Sequence, residues 1–200
     1  MKSYWIWIRQ ALVPLAATYV IPGLMLLINL IFGEVDLRNI AMFVMSYGMA
    51  FSILLSPMML YNPAYLALSL GETRKGVCRG ILMSRLLYTV LMAATGAPII
   101  WYCKVVVNAD FLLILLTDLG TLCSLAGIGG LIDCLLIKIG RKYVYLAIII
   151  LIFSMVHVVL LMIVGDFPFV AGIALAEGLI LDGISVSLLR RTLNKWNVQL

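Results

Sequence analysis

Long apolar runs separated by short polar stretches fill the chain from residue 11 onwards. Each run is close to the roughly 20 residues that an α-helix needs to cross about 30 Å of hydrocarbon. The runs lack the alternation of membrane β-barrels, and an open sheet in lipid would leave backbone groups unpaired. The pattern therefore predicts an all-α, polytopic membrane protein with six transmembrane helices. The predicted spans are residues 11–32, 39–61, 86–107, 111–137, 143–164 and 169–188.

The composition excludes a water-soluble globular protein. Hydrophobic residues make up 64% of the 200 residues and charged residues 12%, against about 45–50% and about 25% in ordinary soluble domains. So few charges cannot cover a solvated surface. The aqueous segments are correspondingly small, and the predicted external loops are too short for a soluble catalytic domain.

The positions of the cations predict the orientation, because Lys and Arg are retained on the cytoplasmic side of a membrane. With six spans both termini lie on one side, and that side holds all of the 14 Lys and Arg except Arg38 and Lys104. We therefore expect a multi-pass cell-membrane protein with cytoplasmic termini. The net charge of +5 is explained by this topology and gives no indication of nucleic-acid binding.

This topology divides the chain into three parts. Residues 1–10 form an interfacial lead-in, residues 11–188 the transmembrane domain and residues 189–200 a basic cytoplasmic tail, with a cytoplasmic loop at 62–85. The lead-in carries Tyr4, Trp5 and Trp7 between Lys2 and Arg9, a mixture that suits the headgroup region. Two interpretations remain open for it, an aromatic belt at the membrane surface and a separate interfacial helix.

The cytoplasmic loop has the most local structure. Proline residues at 57 and 63 bracket the end of the second span, and residues 64–70 form a short apolar helix that Gly71 interrupts. Thr73 is placed to cap a new helical turn. The cations Arg74, Lys75, Arg79 and Arg85 then recur at helical intervals before the third span. They suit a docking surface for a partner, and equally a positively charged segment that contacts anionic lipid.

The segment from Leu70 to Gly76 reads Leu-Gly-Glu-Thr-Arg-Lys-Gly. It resembles the segment Ser-Phe-Gly-x-Thr-Arg-Lys between the second and third of six spans in small permease subunits of ABC type-2 exporters. The aromatic, basic lead-in, the short external loops and the basic tail extend the likeness over most of the chain. One feature departs from the family, since residues 165–168 are too short for the re-entrant hairpin that many members have between spans five and six.

The resemblance implies an ATP-driven exporter in which this chain forms half of the translocation path. Residues 64–79 would be the coupling region that contacts a separate ABC ATPase subunit, and residues 3–9 a connecting helix. Two permease subunits would assemble, as a homodimer or as a heterodimer with a sister permease. The residues expected to couple to the ATPase are Leu70, Gly71, Glu72, Thr73, Arg74, Lys75 and Arg79.

The chain has no ATPase motif of its own. Gly71 and Gly76 have the glycine spacing of the phosphate loop GxxxxGK[ST], but Val77 and Cys78 stand where Lys and Ser or Thr are required. We therefore expect no cofactor in this chain, and the resemblance implies ATP and Mg on the partner subunit. The sequence offers no catalytic residue with a recognised pattern.

A rival interpretation rests on ionisable residues inside the predicted spans, where a charge costs about 2.5–3.5 kcal/mol or more. Asp118, His157 and Glu177 lie at similar predicted depths on spans four, five and six. Such a layer could relay a proton in an ion-coupled transporter, serve an intramembrane enzyme, or simply hydrogen-bond three helices in a structural membrane subunit. Asp133 and Asp182 are nearer the cytoplasmic side, and we expect them to pair with Lys or Arg at helix ends.

The remaining residues of chemical interest have structural interpretations. The four cysteines show no CxxC spacing, and with His157 as the single histidine they predict no metal site. They are expected to be packing residues. Small residues on the fourth span predict a ridge for close helix contact. This ridge consists of Gly120, Ser124, Gly127 and Gly130.

Overall fold

The structure is a computed structural model that describes residues 2–32, 37–61, 63–102, 110–139 and 167–195. Every regular element in these ranges is an α-helix, which confirms the predicted all-α fold class. The fifth predicted span, residues 143–164, lies outside the described residues. The number of spans and the orientation of the termini therefore stay predictions.

Six helices are described, and they correspond to five of the predicted spans and to the short helix of the loop. Their bounds are α1 (Lys2–Phe32), α2 (Leu37–Tyr61), α3 (Pro63–Ser69), α4 (Arg74–Tyr102), α5 (Phe111–Ile139) and α6 (Phe167–Lys195). The aromatic lead-in is the beginning of α1, so it is continuous with the first predicted span. Helix α4 begins twelve residues before the predicted third span, because no proline separates Arg74 from Arg85 and the glycines at 76 and 80 are accommodated within the helix.

Four of the described helices are long and apolar enough to cross a membrane. Their apolar segments are Tyr4–Ile28, Arg74–Tyr102, Phe111–Leu135 and Ala171–Leu193, and α2 contains a shorter apolar segment, Ile40–Leu55. Large apolar side chains such as Leu27, Ile31 and Leu179 are more than half exposed on the outside of the bundle. Such a surface is suited to lipid and not to water. These helices therefore indicate a membrane protein.

Helix α5 is the centre of the described bundle. It packs most extensively against α6 and also contacts α2 and α4, while α1 lies against α2 and α4. The short α3 contacts α2, α1 and α4. The main core cluster runs from Trp7 and Ala11 of α1, through Tyr88 and Met92 of α4, to Leu122 of α5.

Glycines allow the close approach of α5 to α6, as the predicted ridge requires. A Cβ atom on Gly127 would lie 2.7 Å from the backbone nitrogen of Asp182, and one on Gly120 would lie 2.6 Å from the carbonyl carbon of Ala174. Gly178 of α6 lies against the backbone carbonyl of Gly120 in the same way. The predicted ridge is confirmed, and its partner is α6.

We expect Gly127→Ala to destabilise the bundle, because the added methyl group meets backbone atoms of α6 that cannot move away separately. Overpacking of this kind costs about 1–3 kcal/mol. The matched control is Gly183→Ala on α6, where an added Cβ has no atom within 4 Å and where replacing helical glycine gains about 0.5–1 kcal/mol. Thermal unfolding in detergent micelles measures both. A Gly127→Ala variant as stable as Gly183→Ala would contradict the assigned packing.

Candidate functional site

The segment that joins α2 to α4 folds as the sequence predicts. Helix α2 ends at Tyr61, and α3 begins at Pro63, whose missing backbone donor is harmless at a helix start. Ala64 and Ala67 of α3 are buried in the main core cluster, while Leu66 and Leu70 are exposed. The short helix is therefore anchored on one face and presents apolar side chains on the other.

Gly71 ends α3 by a turn that needs glycine. Its φ of 86° lies in the left-handed region, which side chains disfavour. The amide of Glu72 donates to the carbonyl of Ala67, and the amide of Gly71 donates to that of Leu68, both at 3.0 Å. These two bonds form a Schellman motif, which satisfies the last carbonyls of a helix. The chain thus leaves α3 at this turn and enters α4 at Arg74.

Thr73 caps the start of α4, as predicted. Its Oγ1 accepts a hydrogen bond of 3.1 Å from the backbone amide of Gly76, and its carbonyl accepts one of 2.9 Å from Val77. Arg74, Lys75 and Arg79 are exposed in the first turns that follow. The structure therefore brings the predicted coupling residues together, as an exposed basic helix start beside α3.

The beginning of α1 packs directly against this basic helix. The indole ring of Trp7 packs directly on Gly80. A Cβ atom at position 80 would overlap the ring. Ser84 of α4 donates a hydrogen bond of 2.7 Å to the carbonyl oxygen of Trp7. Residues 3–9, which the resemblance assigns to a connecting helix, therefore contact α4 through Trp7, just after the coupling region of residues 64–79.

Arg85 requires a correction to the sequence analysis, which grouped it with the cations of the loop. It lies in the fourth turn of α4 and its side chain is buried. Its Nη2 donates to the carboxylate of Asp182 and the hydroxyl of Ser185 on α6, and to the carbonyl of Ala126 on α5. Asp182 pairs with an arginine as expected, but the prediction of a partner at a helix end is wrong, since Arg85 lies in the fourth turn of α4.

The Arg85 cluster, defined here as Arg85, Ala126, Asp182 and Ser185, joins α4, α5 and α6 by polar contacts. The side chain of Arg85 is 3% exposed and that of Asp182 is 40% exposed. Gly130 provides the space, since a Cβ there would lie 2.7 Å from Nη1 of Arg85. The sequence neighbours of Arg85, Ile81 to Met83 and Leu86, are apolar, and they were the signal that Arg85 lies inside the span.

The alternative site, Asp118 with His157 and Glu177, is described in part. Asp118 is buried on α5 and Glu177 is half-buried on α6. His157 lies outside the described residues. Oδ2 of Asp118 has no hydrogen-bond partner among the residues that the structure describes. The three-residue layer therefore stays a prediction, while the burial of its aspartate is established.

The described cysteines occupy packing positions. Cys78, Cys123 and Cys134 are free thiols, and Cys78 belongs to the main core cluster. Its burial shows that this part of the predicted cytoplasmic loop is packed against the bundle. Within the described ranges no group of three or more His, Cys, Asp or Glu side chains could hold a metal ion.

Comparison with known proteins finds no matching family model, no matching curated protein and no matching solved structure. The resemblance to ABC type-2 permeases consequently rests on the residues of this chain and their arrangement alone.

We expect Asp182→Leu to destabilise the protein more than Arg85→Met. The first variant leaves a buried guanidinium without its counter-charge, which costs about 3–5 kcal/mol, whereas the second leaves a carboxylate that is 40% exposed. The double variant should be more stable than Asp182→Leu alone, because no isolated charge remains. Thermal unfolding of the four proteins in detergent measures this. Effects that simply add would contradict a buried pair.

Proposed function

We propose that the chain is the transmembrane permease subunit of an ATP-driven exporter of the ABC type-2 kind. On this proposal it crosses the cell membrane six times, has both termini in the cytoplasm and forms half of the translocation path. A second permease subunit, identical or related, forms the other half. The ATPase is a separate subunit, because the chain lacks the phosphate loop that would hold ATP and Mg.

The observation that carries the proposal is the exposed basic start of α4 next to α3. Arg74, Lys75 and Arg79 follow a tight turn at Gly71 and are displayed beside the exposed apolar side chains Leu66 and Leu70. A surface with apolar contacts and a cationic rim is suited to an acidic groove on a protein partner, since charges guide association and apolar groups provide burial. A lipid headgroup layer would make no use of the ordered turn.

The helices suggest how a partner's movement would reach the membrane. Helix α4 runs without interruption from Arg74 to Tyr102, so a displacement of its basic end moves the whole helix. Trp7 and Ser84 join it to α1, and the Arg85 cluster joins it to α5 and α6. ATP-driven closure of two ATPase subunits would thus shift α4 relative to the partner permease and alternate access to the path between them.

We expect the Lys75→Glu/Arg79→Glu variant to lose its ATPase partner. These two cations are exposed and four residues apart, on one face of α4. The tagged full-length chain is purified from its native membrane in mild detergent, and co-purifying proteins are identified by mass spectrometry. A stoichiometric ATPase subunit is expected with the natural chain, and on the order of tenfold less with the variant, since each 1.4 kcal/mol lost weakens binding tenfold.

The matched control is Arg190→Glu/Arg191→Glu on α6, which makes the same change of charge at another exposed basic pair predicted to be cytoplasmic. It should retain the ATPase. Equal loss in both variants would indicate a general effect of charge on the membrane, and the absence of any ATPase from the natural chain would overturn the proposed function.

Topology gives a separate test. In a chain whose four cysteines are replaced, Ser69→Cys should react with a membrane-impermeant maleimide only after the cells are opened, because α3 is expected in the cytoplasm. Asp110→Cys should react in intact cells. Both positions are exposed in the structure, so accessibility within the protein is not limiting. The reverse pattern would contradict the proposed orientation.

A further inference from the structure

Asp118 is an acid in the interior of an apolar helix. It lies within Phe111–Leu135 of α5, a segment long and apolar enough to span a membrane, and it is 7% exposed. Its Oδ2 is buried and has no hydrogen-bond partner among the described residues. Buried carboxylates are normally paired or bonded by several donors, so this oxygen calls for an explanation.

The surroundings of this oxygen are contributed by α4 and α1. Oδ2 lies against Gly96, where a Cβ would be 3.1 Å away, and Met92 adjoins the same position. The hydroxyl of Tyr19 lies 3.7 Å from the sulfur of Met92 and is hydrogen-bonded to Thr95. The carboxyl group therefore faces α4 at Gly96, on the side where Tyr19 of α1 and Thr95 of α4 supply hydroxyl groups.

No positive charge compensates Asp118 within the described ranges. Arg85 is engaged by Asp182 and by Ala126, which is eight residues, or about 12 Å, further along α5. Besides Arg85 and Asp182, the titratable side chains in the middle of the packed helices include Tyr19, Tyr47, Tyr88 and Glu177, and none of them is a cation. The remaining Lys and Arg of these helices lie within eight residues of a helix end. An ionised Asp118 would be an isolated buried anion, which is among the most unfavourable arrangements in a membrane.

We propose that Asp118 is a proton-binding site, in which the carboxyl group carries an exchangeable proton between α4 and α5. Loss of this proton would place a negative charge against Gly96 and the apolar atoms of Met92, and so would disfavour the close packing of the two helices. The state of the site therefore biases the α4–α5 contact. The proposal uses none of the basic docking residues, so it holds or fails separately from the ATPase assignment.

The test uses dicyclohexylcarbodiimide, which partitions into membranes and reacts with protonated carboxyl groups. The acid O–H adds across one C=N bond of the reagent, and the acyl group then moves to nitrogen, so the product is a stable N-acylurea with no leaving group. Membranes that contain the tagged full-length chain are treated over a range of pH, and the modified peptide is identified by mass spectrometry. We expect modification at Asp118, declining as pH rises, and none in Asp118→Asn.

The labelling experiment has two internal controls. Asp110, which is exposed, and Asp182, which is paired with Arg85, should stay unmodified. The same chain unfolded in acidic detergent should react at Asp118, which establishes that the product is detectable. An unmodified Asp118 in native membranes, or protection by Na⁺ but not by choline at fixed pH, would overturn the proposal, the latter because a metal ion would then occupy the site.

A second measurement does not depend on access of the reagent. Asn resembles the neutral acid in size and polarity, so Asp118→Asn should leave the unfolding temperature in detergent nearly unchanged below neutral pH. Asp118→Leu, which alters shape and removes the polar group, serves as the comparison. A clear loss of stability in Asp118→Asn at every pH would show that the charged form is required, and would also overturn the proposal.

Discussion

A guanidinium group in hydrocarbon has to find its acceptors within the protein, and the arrangement of α4, α5 and α6 depends on this requirement. Water cannot solvate the buried side chain of Arg85, so a carboxylate and a hydroxyl from α6 and a carbonyl from α5 take its place. These bonds fix the rotation of α4 about its own axis. They also require a glycine at position 130, because a larger residue would occupy the space of the guanidinium.

The same region combines the two forces that hold helices together in lipid, which are close van der Waals packing and hydrogen bonding between helices. The backbone of Asp182 lies against Gly127, while its side chain bonds Arg85. A change in the spacing of α5 and α6 would therefore move the counter-charge of α4. Packing and electrostatics are coupled through this one residue, and neither can alter alone.

Much of the fold could be predicted from the sequence, because lipid leaves few structural solutions to an apolar chain. The short helix before Gly71, the cap at Thr73 and the glycine ridge follow from local chemistry, and the structure confirms each. The hydropathy average placed Arg85 outside the span although its sequence neighbours are apolar, since a cation lowers the local average and moves the apparent start of the span past it. The sequence could not identify which helix faces the ridge, because rotation and neighbours are set by contacts distant in sequence.

The burial of Asp118 was expected from its place in an apolar run, but the lack of a hydrogen-bond partner for its Oδ2 among the described residues was not. Whether a buried acid finds a donor depends on the rotation of three helices, and hydropathy carries no information about rotation. The sequence grouped Asp118 with His157 and Glu177 by depth alone. The structure adds that the carboxyl faces Gly96 and Met92, an environment that no residue count could have specified.

Arg85 and Asp182 are 97 positions apart in the sequence, and this separation affects the order in which the bundle assembles during synthesis. At about 5–20 residues per second, the ribosome needs roughly 5–20 s after making the arginine to complete its counter-charge. During that interval α4 carries an unpaired cation, so it has to remain near the headgroups or the protein-conducting channel. The last described helix is thus the one that allows α4 to settle, and assembly of this part of the bundle is completed only after α6 has been made.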